Sequence, residues 1–378
     1  MVPREKMTLG ARKIRDTFAM VPGAPFYQKE FGFYCLDEWK AQGHLPQDIT
    51  RAQMGELFRY DPPGRHALGG LGWCEAGFLP AFEEKVIEDR GEYELVQDFA
   101  GRHVLCFKGR RNGFMPEYVD HPVKNMKTWI EHCKWRMDPG TPERYAKIKE
   151  IMPRAMAAAG EGQMIVQNLV GGYMYLRSLI GPGEVLYKFY DEPELIHDCM
   201  QTWLALAEAI IAEHQKQVTI DEVFIGEDIC YNHGPLISPD MIREFLFPYY
   251  QQLIRGIKAR QLDPTRHLFF QVDTDGWATP VIPLYQELGL DVMSPFEVAS
   301  GCDVVELGRQ FPNLVMSGGV DKRILAESKS AIDRMVDRIF PAMRARGGYI
   351  PTCDHGVPAE VPYENYLHYR RRCVELGG

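Results

Sequence analysis

No stretch of the 378-residue sequence approaches the length of a membrane span, roughly 20 consecutive apolar residues. The opening residues, MVPREKMTLGARKIRD, lack the apolar core of a secretory signal. Framework spacing is missing among the nine cysteines, an odd number. Reduced thiols in a cytoplasmic protein are therefore expected, rather than a disulfide scaffold. No long basic cluster offsets a formal net charge of -9, which disfavours nucleic acid or an anionic membrane as partner. There is no GxGxxG after a strand, no P-loop, no HExxH and no GxSxG, so the commonest dinucleotide, NTP, zincin and serine-hydrolase signatures are absent. Low-complexity tracts and an obvious linker are also lacking.

What is present is a repeated design in the second half of the chain. Residues 266–277, RHLFFQVDTDGW, hold an apolar run that stops at Asp273 and Asp275, with Gly276 closing it. Residues 221–228 (DEVFIGED) end in Glu227 and Asp228, and 290–297 (LDVMSPFE) end in Glu297. Residues 313–321 (NLVMSGGVD) end in a glycine pair and Asp321, and 348–355 (GYIPTCDH) end in Cys353, Asp354 and His355. Each apolar run reads as a strand buried on both faces and is followed by helical periodicity. Alternating βα units with polar strand ends predict an α/β protein, a (β/α)8 TIM-type barrel with its active site at the C-terminal mouth.

Residues 1–120 are read as an elaboration of helices, loops and a β-hairpin covering the barrel, and residues 121–378 as the barrel itself. Within the first part, 6–20 carry a helical pattern through Met7, Leu9, Ile14 and Phe18. Residues 21–77 are rich in Gly, Pro and aromatics, and loop aromatics such as Phe26, Tyr27, Phe31, Phe33 and Tyr34 need a surface to pack on. Alternation over 92–118 predicts hairpin strands, turned by glycines near 101 and 109–113. Further on, 120–136, 145–159 and 193–218 read as helices and 164–169 as a strand. Ser238 is the N-cap of a helix that Pro248 interrupts.

On barrel strands, Glu227, Asp228, Asp273, Asp275, Glu297, Asp354 and His355 are expected to face one mouth. So many carboxylates in a water-poor funnel repel one another and take up protons unless a cation is present. Cys353 and His355, one residue apart, point the same way if the chain is extended there. With one or two carboxylates they make a zinc-type set. The rival reading is a metal-free pocket whose carboxylates act as general acid and base.

The succession VDTDG, SPFEVASGCDVVEL, SGGVDKRIL and YIPTCDHGVPAEVPYENY resembles the uroporphyrinogen decarboxylase superfamily, and within it the branch linked to corrinoid-dependent methyl transfer. The likeness covers most of the chain from about residue 92. The decarboxylase of that superfamily holds its polycarboxylate substrate with an N-terminal arginine-rich motif. Here Arg12 and Arg15 stand near the start and no such motif follows. The zinc methyltransferases use His-x-Cys after one strand and a Cys near the C-terminus. Asp273 and Asp275 occupy the first place in this chain, and Cys353-Asp354-His355 the second. Carboxylate and imidazole make a harder site than thiolates, suited to an ether oxygen.

The resemblance thus implies a cytoplasmic methyltransferase that moves a methyl group from a methoxylated substrate to a corrinoid carried by a partner protein. The expected metal is zinc, held by Asp275, Glu297, Cys353 and His355. Glu227, Asp228 and Asp273 are the expected acid–base residues, and Asn168, Tyr173 and Tyr231 the pocket wall. A metal-free decarboxylase of another carboxylic acid and a non-enzymatic ligand-binding barrel remain as alternatives. Assembly as a homo-oligomer is left open.

Overall fold

The computed structural model describes residues 2–109 and 116–378, so the glycine turn expected at 109–113 lies largely outside the described residues. The strands in chain order are β1 Arg65–Leu68, β2 Lys85–Arg90, β3 Tyr93–Gln97, β4 His103–Phe107, β5 Glu117–Asp120, β6 Met164–Val170 and β7 Glu222–Gly226. They continue with β8 Cys230–Tyr231, β9 Gly234–Pro235, β10 Phe269–Asp273, β11 Val292–Phe296, β12 Val315–Gly318 and β13 Tyr349–Ile350.

Seven of these form one parallel sheet in the order β1-β6-β7-β10-β11-β12-β13, with helices in the connections. It is the curled sheet of a TIM-type α/β barrel. The sheet takes its first strand from Arg65–Leu68, inside the segment expected only to cover the barrel. Between the edge strands β13 and β1 runs the irregular segment 26–34. It is tied to Asp61, just before β1, by the Asp61 N–H to the Gln28 carbonyl at 2.9 Å and the Gln28 N–H to Asp61 Oδ2 at 2.6 Å. On the other side Glu30 Oε1 accepts from the Cys353 N–H at 2.8 Å, and Phe33 bridges Val357. A loop rich in aromatics thus stands where the sheet closes on itself.

The helix Leu9–Phe18 forms as its apolar pattern suggests, capped by Thr8, and buries Ile14 and Phe18. These pack on Tyr27, Met164, Val292, Val315 and Ile350. Three of those residues open their strands, so the helix plugs the N-terminal end of the barrel and leaves the other end for chemistry.

Outside the barrel, β2-β3-β4-β5 make a four-stranded antiparallel sheet, larger than the expected hairpin. Residues 126–137 are not one regular α-helix but short α, π and 3-10 turns in succession; even so, Trp129, Cys133 and Met137 are buried. Ser238 caps Pro239–Phe245, and a new helix, Phe247–Ala259, follows with Pro248 in its first turn, where the missing N–H costs no bond.

Candidate active site

Strand parity decides which side chains reach the mouth. In β10, Phe270 and Val272 are buried toward the helices, and Thr274 continues that side. Its Oγ1 accepts from the Ile229 and Cys230 N–H groups at 3.0 and 3.1 Å, fixing the loop after β7. Asp273 and Asp275 have the opposite parity and face the interior. Ser294 Oγ donates to Asp273 and accepts from Gln271 Nε2 at 2.7 Å. Burial pushes the Asp273 carboxyl up to about 7; the Ser294 bond and Lys29 pull it back, while nearby Asp228 adds to the rise.

Asp275 is also pushed up to about 7, first by burial and then by Asp228, Glu297 and Asp273, with Lys322 opposing. His355 Nε2 lies 3.7 Å from Asp275 Oδ2. Burial and the Lys322 charge lower the His355 pKa, favouring the neutral imidazole. Its ring stacks on Tyr34, whose hydroxyl is 3.3 Å from Nδ1, and sits beside Phe31.

Glu297 is held from two sides. Gly276 N–H donates to Oε2 at 2.9 Å and Lys322 Nζ lies 3.2 Å from Oε1. The same ammonium is 3.7 Å from Asp354. Burial alone would lower Lys322, but Asp354 and Glu297 outweigh it and hold its pKa up. Asp354 is fully buried and accepts from the Val298 and Lys322 N–H groups at 3.0 and 3.2 Å, so it braces the loops. Asp228 pairs with Arg177 at 2.7 Å. Its φ of +44° is unusual for a residue with a Cβ. The strain is held because the Glu227 and Asp228 N–H groups both donate to the Asp273 carbonyl, at 2.8 and 3.2 Å.

Asp354, given over to bracing the loops, is one expected mouth residue held out of the mouth; Glu227 is a second, and Cys353, an expected metal ligand, is also turned away. Glu227 follows Val223 and Ile225 in parity and enters the layer between sheet and helices. It is fully buried there, bonded by Tyr250 Oη and by the Tyr173 N–H at 2.9 Å. Burial raises its pKa to about 7 against the pull of those bonds. It braces the start of the helix Gly172–Ile180. Cys353 and His355 do not point the same way, because the chain bends at 354–356. The Cys353 side chain is fully buried in the core, and burial, with Glu30 and Asp354 next, drives its thiol pKa far up. Of the four side chains expected to hold zinc, Asp275 and His355 come together, Glu297 is engaged by Lys322 and Gly276, and Cys353 is turned away. Among the described residues no three His, Cys, Asp or Glu side chains converge on a common point. This donor arrangement does not fit a zinc ion.

Of the pocket-wall residues, Asn168 is half-buried on the inner parity of β6 and Tyr231 is half-exposed on the rim. Tyr173 is fully buried with an unpartnered hydroxyl, its pKa raised to about 12 by burial, while Arg177 opposes. Trp73, half-exposed, stacks on Phe224 with ring centres 5.2 Å apart, so aromatics from the loops of residues 21–77 do meet the mouth.

Sequence reasoning missed the interior cations. Arg65 Nη2 binds Glu222 and, at 3.1 Å, Gln271 Oε1. Lys29 lies near both, and burial and Arg65 lower its pKa to about 8. Lys322 was legible as the residue after the SGGVD strand end; Lys29, in an irregular loop, carried no signal.

Comparisons with known proteins bear on this site. The profile of the uroporphyrinogen decarboxylase (URO-D) family matches residues 118–374. The uroporphyrinogen decarboxylase of Geobacter metallireducens is 31% identical over 136 residues, 36% of this chain and 37% of that protein. The chloroplastic uroporphyrinogen decarboxylase of Nicotiana tabacum is 25% identical over 245 residues, 59% of this chain and 58% of its own length. The chain thus spans less than two thirds of these relatives. Among solved structures, a methyltransferase from Methanosarcina mazei superposes with a TM-score of 0.57 at 12% identity, covering 97% of this chain and 99% of that one, which is a likeness of fold.

Proposed function

The chain belongs to the uroporphyrinogen decarboxylase family, and from that premise we propose that it is a methyltransferase: it cleaves the methyl–oxygen bond of a small methoxylated aromatic compound and passes the methyl group to a corrinoid on a partner protein. The observation that carries this reading is the Asp275 carboxyl, raised to about 7 beside a neutral His355 in an aromatic-rimmed mouth. An ether is inert to displacement mainly because its alkoxide or phenoxide leaves poorly. An acid with a pKa near the working pH offers both a useful protonated fraction and proton-transfer drive.

In this mechanism the aromatic ring lies against Trp73 and Tyr231, with its ether oxygen toward Asp275. The carboxyl proton moves to that oxygen as the methyl–oxygen bond breaks. The product leaves as a neutral alcohol or phenol, and the Asp275 carboxylate is reprotonated from water through His355. The reduced corrinoid supplies the nucleophile that takes the methyl group. Asp273 lies deeper, and with Ser294 it limits water beneath the substrate.

The same acidity argues against a tetrapyrrole substrate. A polycarboxylate needs several free guanidiniums, whereas Arg177 and Lys322 already face carboxylates. Decarboxylation of a smaller acid is the second reading, supported by family membership and by Lys29 in the interior. The test is product analysis of the purified chain with methoxybenzenes and free reduced corrinoid. Corrinoid-dependent release of the phenol, lowered at least about a hundredfold in Asp275→Asn, is expected. Corrinoid-independent carbon dioxide release from aromatic acids, with no phenol formed, overturns the methyl-transfer reading in favour of the second.

A further inference from the structure

A cavity of about 340 Å³ lies outside the barrel mouth, between the helix Pro142–Gly160, the helix Pro193–Gln215 and the loop of residues 69–79. One stripe of the first helix faces it: Arg144, Lys147, Ile148 and Ile151, spaced three and four residues apart and so on one side of an α-helix. The two cations stand toward the helix start, with Ile151 a turn beyond Lys147. Ile210, Phe78 and Leu79 extend the apolar part, and the glycine-rich turn at 69–72 leaves the facing wall to backbone. The cavity is thus cationic at one end and apolar at the other, with a volume typical of small-molecule sites.

Arg144 carries the argument. It is only 6% exposed, yet among the described residues no carboxylate pairs with it. Three backbone carbonyls hold its guanidinium: Nε donates to Asp138 at 3.2 Å, Nη1 to Gly77 at 2.9 Å and Nη2 to Arg136 at 2.6 Å. A guanidinium has five N–H groups, so two, one on each Nη, are left without an acceptor among the described residues. Burial lowers the Arg144 pKa, and the Asp138 charge opposes without reversing it. A buried charge that is hydrogen-bonded but not paired is costly. The residue also stands in the first turn of its helix, where the macrodipole already adds positive potential. Lys147, exposed at the rim, has no ion pair among the described residues either. His214, also in the lining, is fully buried and held neutral by that burial, and the lining contains no carboxylate.

We propose that this cavity binds a small monocarboxylate with an apolar tail, the carboxylate on Arg144 and Lys147 and the tail along Ile148, Ile151 and Phe78. Two carboxylate oxygens match the two N–H groups that Arg144 has left, and the ligand's charge answers a cation that the fold leaves unmatched. The apolar walls select a tail without further polar groups. No lining residue belongs to the barrel mouth, so the site stands whether or not the reading of the mouth does.

The probes are octanoate and its neutral counterpart octanamide, titrated calorimetrically into the full chain at low salt. One octanoate per chain is expected, bound about tenfold or more tightly than octanamide, the worth of hydrogen bonds to a charged group. Lys147→Glu reverses the charge at the exposed rim; it weakens octanoate about fivefold or more and leaves octanamide unchanged. Ile151→Trp fills the apolar end, keeps both cations and abolishes binding of both probes. Absence of saturable octanoate binding, equal affinity for the two probes, or octanoate binding that survives Ile151→Trp each overturns the proposal. The last outcome places the acid at the mouth instead. Lys147→Glu alters only an exposed side chain and keeps the fold, so an octanoate affinity that it does not move overturns the proposal even if Ile151→Trp fails to fold.

Discussion

Replacing Asp273 with Asn stabilises the fold, and more so at high pH. The ordinary carboxyl value is 3.8, and in the folded chain burial raises Asp273 to about 7. A raised acid favours the folded state while it stays protonated. That contribution is complete below the unfolded pKa and is lost as pH climbs through the folded one. At pH 5 part of the penalty is already felt, because the unfolded chain ionises there and the folded site does not. By pH 8 the penalty is full. Each unit of difference is worth about 1.36 kcal/mol, so the cost rises by about 2.6 kcal/mol between pH 5 and pH 8. Water in the mouth and the approach of Lys29 relax part of this, leaving about 1–2 kcal/mol. Asn keeps an acceptor for the Ser294 hydroxyl and carries no charge. Urea unfolding of both proteins at the two pH values gives the difference directly. A stability gain that is the same at pH 5 and pH 8, or a variant weaker than the parent at pH 8, refutes the reasoning.

Thr274→Val strips the shared acceptor from the Ile229 and Cys230 N–H groups. Thermal unfolding is expected to register a loss of about 2–4 kcal/mol, with activity falling as the Asp228 loop loosens. Arg65→Met leaves Glu222 buried without its partner, for a cost of about 3–5 kcal/mol read by denaturant titration. Adding Glu222→Gln recovers most of it, and a double variant as unstable as the single one would show that the ion pair is not the cause.

Much of the barrel was legible along the chain. Apolar runs ending in carboxylates at 228, 273, 275 and 297 became strands with those side chains at one end, because a strand buried on both faces keeps its polar residues where it leaves the sheet. Other placements needed the third dimension. Glu227 and Asp228 are neighbours, yet alternation sends one behind the sheet and the other into the mouth. The bend after Cys353 undoes the same-side geometry that spacing alone suggests for Cys353 and His355. Lys29 lies in a stretch without periodicity, so nothing local announced that it enters the barrel.

The βα alternation, the family and the acidic rim are readable along the chain, since these depend on patterns repeated over a few residues. Which carboxyls have raised pKa values and which brace the loops depends on the folded chain. So does the place of the loop of residues 26–34 between the barrel's edge strands. Burial, and the approach of residues hundreds of positions apart, set the proton affinities, and neither is a property of local sequence.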